Sequence, residues 1–506
     1  MTDSVINQIV AAPPRGGHRI SFLRLGGASD MPLTELHAAA ERLARGLRDL
    51  GIGPGDRVGI LASNSLEWVL LDLAALRLKA VVAGFEPGKF DPDGALLARY
   101  RLAVLFTDRK ADGDGIRSLG DVASLIENAD PASPLPAVEY KPEDATTIKF
   151  TSGSTGEPKG LAATAGSIDS SINAVQEMFG HRDGDNLFTF LPLSLLQQRY
   201  WIYSALCFGH DVTVCTYEAA FAAMRRAAPT VVMGVPGFYE TAKKHIESRT
   251  RGAQSAEALR AAARGLFGDR IRYLWTGSAP ARPSMLRFFT EVGMPIYEGY
   301  GLNETCIVSK NHPRAHREGS VGQVLPGKKV LLDSGGVISV HSDHPVNRRY
   351  EYAAPGESER VFGAEGTVRT GDLGYIDEDG FLFIRGRADD VIVLDNGKKV
   401  IVRPLEEYLK ASPAIEECVV FCPTQTHLVA VVSPAGDPAD SKAITARLES
   451  ANATFSQDEQ IKNVVVAGDR FSIANGMLTS QFKPRRQRIL ETYWAQINGK
   501  VPGNGF

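Results

Sequence analysis

Runs of apolar residues alternate along the first two thirds of the chain between two periods. In "LTELHAAAERLARGLRDLG" Leu36, Leu43 and Leu47 recur at helical spacing, and Gly51 supplies a stop. The short apolar run "DRVGILAS" follows, too compact for a helix and flanked by turn residues, which predicts a buried strand. "SLEWVLLDLAALRLKA" then reads as a helix and "VVAGF" as a strand, and strand-like runs continue through "AVLFTD", "TIKFTS", "LFTFLPL", "DVTVCTY", "TVVMGVP" and "IRYLWTG". Alternation of this kind predicts parallel sheets covered by helices, an α/β protein. From about residue 320 the pattern shortens to hairpins, with Asp379-Gly380 as a turn in "IDEDGFLFIRG". Beyond Asp389 a mixed segment follows, with "VIVLDNGKKVIV", a helix at "RPLEEYLKAS" and strands at "CVVFCP" and "LVAVVSP", while "SPAGDPADSK" reads as a surface loop.

Length and composition narrow this picture. A chain of 506 residues exceeds one core, so several domains are expected. A net charge of −3 argues against a general nucleic-acid binder. No apolar run reaches the roughly 18 residues of a membrane span, and "MTDSVINQIVAAPP" lacks the basic start and apolar centre of a secretion signal. Five cysteines, mostly in strand-like runs, predict reduced thiols and a cytoplasmic location. No cysteine–histidine spacing makes a metal site; His312 and His316 fall in a stretch that Pro313 marks as a loop.

Candidate chemistry concentrates in "FTSGSTGEPKG", residues 150–160. Glycines at 153, 156 and 160 let backbone amides approach phosphate oxygens, the hydroxyls of Thr151, Ser152, Ser154 and Thr155 add donors, and Lys159 adds charge. The spacing is not that of a Walker loop. By itself the stretch favours phosphate binding only slightly over a flexible connector. Four further stretches change that reading: "YEGYGLNET" at 297–305, "GSVGQVLPG" at 319–327, "RTGDLGYIDEDGFLFIRGRADD" at 369–390 and "GMLTSQFKPRR" at 476–486. In this order and spacing they resemble the adenylate-forming superfamily of acyl-CoA synthetases, peptide-synthetase adenylation domains and luciferases, over nearly the whole chain. "VIVLDNGKKV", "LTSQFKPRR" and "PTVVMGVPGFYE" are most similar to the long-chain acyl-CoA synthetase branch.

The resemblance implies a fold and a chemistry. The fold is a large N-terminal domain of αβ layers with a small β-barrel-like part (residues 1–388), then a small mobile α+β domain (389–506) hinged at Asp389. In the chemistry, an acid attacks the α-phosphate of Mg-ATP, giving an acyl-AMP and pyrophosphate, and a nucleophile then displaces AMP. Thr151, Ser152, Gly153, Ser154, Thr155, Gly156 and Lys159 would hold the β- and γ-phosphates. Gly277, Ser278 and Ala279 would line the adenine and Tyr300 stack on it, Asp372 and Arg387 would take the ribose, and Glu304 would ligate Mg²⁺. Lys483 would bridge the acid and the α-phosphate, then withdraw as the small domain rotates to present the loop around Gly397.

Three departures bear on the substrate. Asn303 stands where the family has threonine or serine, Leu195 where it has histidine or another aromatic, and Gly237 where the long-chain branch has arginine. Residues 192–201 and 232–239 should line the acid pocket, which brings in Arg199 and Gly234, and Gln197, Gln198 and Arg199 make it more polar than a lipid tunnel needs. These features leave several readings. The first is an acyl-CoA ligase acting on a small or aromatic acid, with Lys398, Lys399 and Arg403 as candidates for the CoA 3′-phosphate. Alternatives are an ATP-dependent diazotase coupling activated nitrite to an aromatic amine, an enzyme loading a carrier protein, and a degenerate nucleotide-binding regulator. Retention of Lys159, Glu304, Asp372, Arg387 and Lys483 counts against the last.

Overall fold

The structure, a computed structural model, describes residues 4–152 (Thr151 and Ser152 by backbone only), 158–250, 255–423, 425–479 and 482–498. Its α/β character follows the apolar periodicity. The helix expected around Leu36, Leu43 and Leu47 spans Leu33–Asp49 and buries all three. The apolar runs after it become strands Arg57–Leu61, Val81–Phe85 and Val104–Thr107, which pair in parallel.

Two sheets carry the N-terminal part. One has six strands in the order Ile116–Ser118, Val104–Thr107, Arg57–Leu61, Val81–Phe85, Ala145–Ser152 and Pro158–Thr164. Its last pair is antiparallel, so the glycine-rich stretch connects two hairpin strands instead of running into a helix. The other has nine strands, with the parallel run Ile296–Leu302, Tyr273–Thr276, Val231–Gly234, Asn186–Thr189, Asp211–Cys215 and Arg19–Arg24 at its centre. Buried Val, Ile, Leu and aromatic side chains of both sheets meet the helices between them in one core.

Beyond residue 327 the β-rich part is a four-stranded antiparallel sheet, Lys328–Leu332, Val337–Ser342, Thr367–Ile376 and Leu382–Arg387. Asp379-Gly380 makes the expected turn between the last two, with Gly380 at φ +82°, where glycine has no steric cost. The C-terminal segment pairs Val391–Val393 with Lys399–Ile401 and packs helix Val402–Lys410 on a three-stranded sheet around Leu428–Pro434. No described helix is long and apolar enough to cross a membrane.

Two buried histidines give the N-terminal part a pH limit. His181 bonds Tyr273 through Nε2 at 2.5 Å, and His210 bonds the Ser204 hydroxyl at 2.9 Å. Burial pushes His181 down to about 3 and His210 down to about 4, so both are neutral when folded. The unfolded chain takes up their protons near pH 6.5, which makes unfolding easier as pH falls below that value. Stability should lose roughly 1.4 kcal/mol per pH unit for each histidine until its folded value is reached. Urea unfolding between pH 4 and 8 checks this, and His210→Gln should make the acid slope shallower.

Candidate functional site

The site lies where strands of the nine-stranded sheet end against the four-stranded sheet. Strand Ile296–Leu302 presents Tyr300, whose hydroxyl donates to Asp372 Oδ2 at 2.5 Å. Asp372 and Arg387 are register partners on neighbouring antiparallel strands, and Arg387 Nη1 donates to Asp372 Oδ1 at 3.1 Å and to the Thr370 carbonyl at 2.9 Å. Burial disfavours the Arg387 charge, but the Asp372 carboxylate outweighs it and holds the guanidinium above its usual value. Tyr300 is pushed well up, by burial first and then by the same carboxylate. Gly371 is at φ +73°, and a Cβ there would stand 3.0 Å from Arg387 Nη2, so the glycine of "TGDLG" is what lets the guanidinium lie along the strand.

Lys483 faces this pair from the C-terminal segment. Its turn is closed by the Lys483 carbonyl accepting from Thr479 N at 2.8 Å and by a bridge between Leu478 and Pro484. The side chain is exposed. Desolvation lowers its pKa, Asp372 opposes that and Arg387 adds to it. Next to it Phe482 lies against Gly237, where a Cβ would meet the ring at 3.4 Å. The C-terminal segment also reaches the large part through Arg282, which donates to the Glu416 carbonyl.

A second cluster forms around the turn after Tyr300. Glu304 Oε1 accepts from the Tyr350 hydroxyl at 2.8 Å, and Asn303 Nδ2 approaches the Phe150 carbonyl at 3.5 Å. Lys159 pairs with Glu357 at 2.8 Å and lies over the Tyr350 ring at 5.2 Å from its centre. Tyr350 and Glu357 belong to the irregular segment between strands Val337–Ser342 and Thr367–Ile376. Nothing in their local sequence marks them, because long-range packing alone brings them here. Gly153, Ser154, Thr155 and Gly156 lie outside the described residues, as do the side chains of Thr151 and Ser152. At the end of strand Tyr273–Thr276, Gly277 is half-buried and Ser278 takes a left-handed φ of +68°, with Ala279 following.

The donor set suits a hard cation. Among the described residues no group of three or more histidine, cysteine, aspartate or glutamate side chains could hold a metal alone. Glu304 offers one carboxylate, and a magnesium ion bound through one carboxylate plus substrate phosphates and water fits that supply.

The expected acid-pocket residues separate. Leu195 is half-buried at the start of helix Leu196–Phe208, and Gly234 ends its strand where a Cβ would stand 3.0 Å from the Tyr239 ring. Arg199 is not a pocket residue. It is 1% exposed and donates to Asp72 at 2.7 Å and Thr147 at 2.7 Å, because helix Leu196–Phe208 turns that face into the core and a buried guanidinium needs a carboxylate. Gln198 is likewise turned inward, against Thr189 and Met233. Gln197, Tyr200, Trp201, Met233 and Trp275 instead line a nearly filled cavity of about 10 Å³, room for a single water. Gly397 sits at φ +79° on an exposed turn, with the adjacent Lys398 paired to Asp458. Asp389 is exposed in the short turn Ala388–Asp390.

Comparison with known proteins follows this geometry. Residues 18–339 match the family model of the AMP-binding enzymes, and residues 389–500 match that of the AMP-binding enzyme C-terminal domain. The chain belongs to this family, the adenylate-forming superfamily, and is an ATP-dependent, AMP-forming ligase. It is 26% identical to the long-chain-fatty-acid–CoA ligase FadD15 of Mycobacterium bovis, covering 93% of this chain and 92% of the relative. It is also 26% identical to the 2-succinylbenzoate–CoA ligase of Bacillus cereus, over 76% of this chain and 79% of that protein. Among solved structures, the O-succinylbenzoate coenzyme A synthetase of Bacillus subtilis with AMP superposes with a TM-score of 0.76 at 21% identity, covering 96% and 98% of the two chains. The anthranilate CoA ligase AuaEII with anthranoyl-AMP superposes at 0.78 with 18% identity, covering 99% and 98%. At these identities the two structures attest the fold.

Proposed function

We propose that the enzyme activates a small or aromatic carboxylic acid as its AMP anhydride and transfers the acyl group to the thiol of CoA. The observation that carries this reading is the Tyr300–Asp372–Arg387 cluster with Lys483 opposite it. Asp372 would accept the ribose hydroxyls, Arg387 would hold Asp372 and reach the ribose, and Tyr300 would stack on the adenine beside Gly277, Ser278 and Ala279. The loop Thr151–Gly156 with Lys159 would cradle the β- and γ-phosphates, so Glu357 must yield Lys159 when nucleotide enters. Glu304 would hold Mg²⁺, which offsets the phosphate charge, and the Asn303 amide would donate to phosphate. The Lys483 ammonium would draw the acid carboxylate and the α-phosphate together, offsetting the repulsion of two anions. The large and small units would divide at 388/389, with Asp389 as the hinge.

The cavity of about 10 Å³ that Gln197, Trp201, Met233 and Trp275 line has no room for a long chain, which favours a small acid. The same observation supports a second reading, an ATP-dependent diazotase that activates nitrite and passes it to an aromatic amine. A panel of fatty, aryl, cinnamic-type and amino acids and nitrite separates the two, with AMP and pyrophosphate release measured with CoA, without it, and with an arylamine. Turnover of an aryl or short acid that requires CoA is expected. Turnover with nitrite and an arylamine, indifferent to CoA, would replace the first reading by the second.

A further inference from the structure

The turn that carries Asn303 and Glu304 is built tightly. Thr305 Oγ1 accepts from Leu302 N at 2.9 Å, and Cys306 takes a left-handed φ of +54°. Gly301 lies so close to the Cys306 carbonyl that a Cβ would fall 1.9 Å from it. Such a turn leaves carbonyls inside the protein without strand partners, and buried carbonyls need donors. Two buried lysines supply them. Lys149 Nζ donates to the Asn303 carbonyl at 2.7 Å, and Lys328 Nζ donates to the Thr305 carbonyl at 2.6 Å. They come from different sheets, Lys149 from strand Ala145–Ser152 and Lys328 from strand Lys328–Leu332. Between them sits the fully buried Cys306 sulfur, 3.6 Å from Lys149 Nζ and 3.2 Å from the Tyr200 hydroxyl.

A long amine is a costly way to satisfy a carbonyl, because burying it forfeits hydration and rotamer freedom. Residues 303 and 305 flank Glu304 and the carbonyls of both are held by lysines, while the Glu304 carboxylate accepts from the Tyr350 hydroxyl. We propose that Lys149 and Lys328 are positioning residues: by gripping the turn at both flanks they aim the Glu304 carboxylate and the Asn303 amide at the metal-bound phosphates of the nucleotide. This rests on the reading of Glu304 as the magnesium ligand given above. Neither lysine touches substrate, and both act through the turn. A carboxylate that belongs to no cluster of metal-ligating side chains among the described residues gains most from such support.

The test compares binding of the non-hydrolysable analogue α,β-methylene-ATP by calorimetry, with and without Mg²⁺, in the full-length chain. Lys149→Met and Lys328→Met should each lose about tenfold or more of the strengthening that Mg²⁺ gives, the scale set by loss of groups supporting a metal ligand. Metal-free binding, carried by the contacts of Asp372, Arg387, Tyr300 and Lys159, should stay within threefold and serves as the control for general damage. A folded Lys149→Met or Lys328→Met protein that keeps the full Mg²⁺ effect overturns the proposal. Glu304→Gln separates the two ideas. If it leaves the Mg²⁺ effect intact, the ligand reading has failed. If it removes the effect while the lysine variants retain it, the positioning proposal alone has failed. Should the methionine variants not fold, Lys149→Gln and Lys328→Gln are the second probes, since each keeps a polar end in the core but is one bond too short to hold its carbonyl as the lysine does. A reduced Mg²⁺ effect in either variant supports the proposal, and an unchanged effect in both folded proteins overturns it.

Discussion

Lys483→Ala is expected to slow adenylate formation by about 10²- to 10³-fold, the scale measured when one preorganised charge-stabilising group is removed from an active site. The reason is the geometry of the cleft. Lys483 is the cation on the C-terminal segment that faces Asp372 and Arg387, and desolvation together with Arg387 pulls its pKa down. In that setting the ammonium gains most when an anionic group sits beside it, which is the condition created when acid and α-phosphate meet. ATP affinity should change far less, because Asp372, Arg387 and Tyr300 are untouched. Transfer of the acyl group from a chemically prepared adenylate should stay within a few-fold of wild type. Pyrophosphate exchange measures the first step and single-turnover thioester formation the second. Equal losses in both would mean that Lys483 supports the fold of its turn and not the first step.

Arg199→Met is expected to cost about 3–5 kcal/mol of stability, the range for breaking one side of a buried ion pair. Arg199 Nη1 bonds Asp72 Oδ1 at 2.7 Å, Nη2 bonds Thr147 at 2.7 Å, and the guanidinium lies over the Trp68 ring at 5.2 Å. Asp72 Oδ2 accepts from Tyr203 at 2.7 Å, so one carboxylate joins two helices and Arg199 links them to a strand. Removing the guanidinium leaves the Asp72 charge buried with a single neutral donor. Asp72→Asn on top of Arg199→Met should recover part of the loss, and a double-mutant cycle in urea reads the coupling directly. Acid preference in the folded fraction should not move. A stable Arg199→Met protein with altered acid preference would return Arg199 to the pocket.

Lys483 and Arg199 differ in how far the sequence alone could place them in the folded chain. Strands and helices of the N-terminal part were legible because their apolar periods decide which face is buried, and the hairpin at Asp379-Gly380 because its turn chemistry is local. Tyr300, Asp372, Arg387 and Lys483 could be named because each sits in a distinctive short stretch, and the structure brings them together from three separate segments. Arg199 was misplaced for a physical reason. A polar residue in "LLQQRYW" reads as pocket-facing, whereas its partner Asp72 lies in the otherwise apolar helix "LEWVLLDLAALR", where the carboxylate was the available warning. Lys149 in "TIKF" was likewise visible as a charge inside a buried strand, but its carbonyl partner is 154 residues away in sequence. Tyr350 and Glu357 carried no local mark, and only the tertiary fold sets them beside Lys159 and Glu304.

The pairing of Asp372 with Arg387 has a mechanical side. Arg387 is the last residue of its strand and adjoins the turn Ala388–Asp390, beyond which the chain enters the C-terminal segment. Its hydrogen bonds to Asp372 Oδ1 and to the Thr370 carbonyl hold Arg387 on the near side of that turn. Torsion at 388–390 would therefore leave Arg387 and its carboxylate in place while the C-terminal segment, and Lys483 with it, changes orientation against them. The hairpin would be the fixed half of a joint, and the lysine would ride on the moving half.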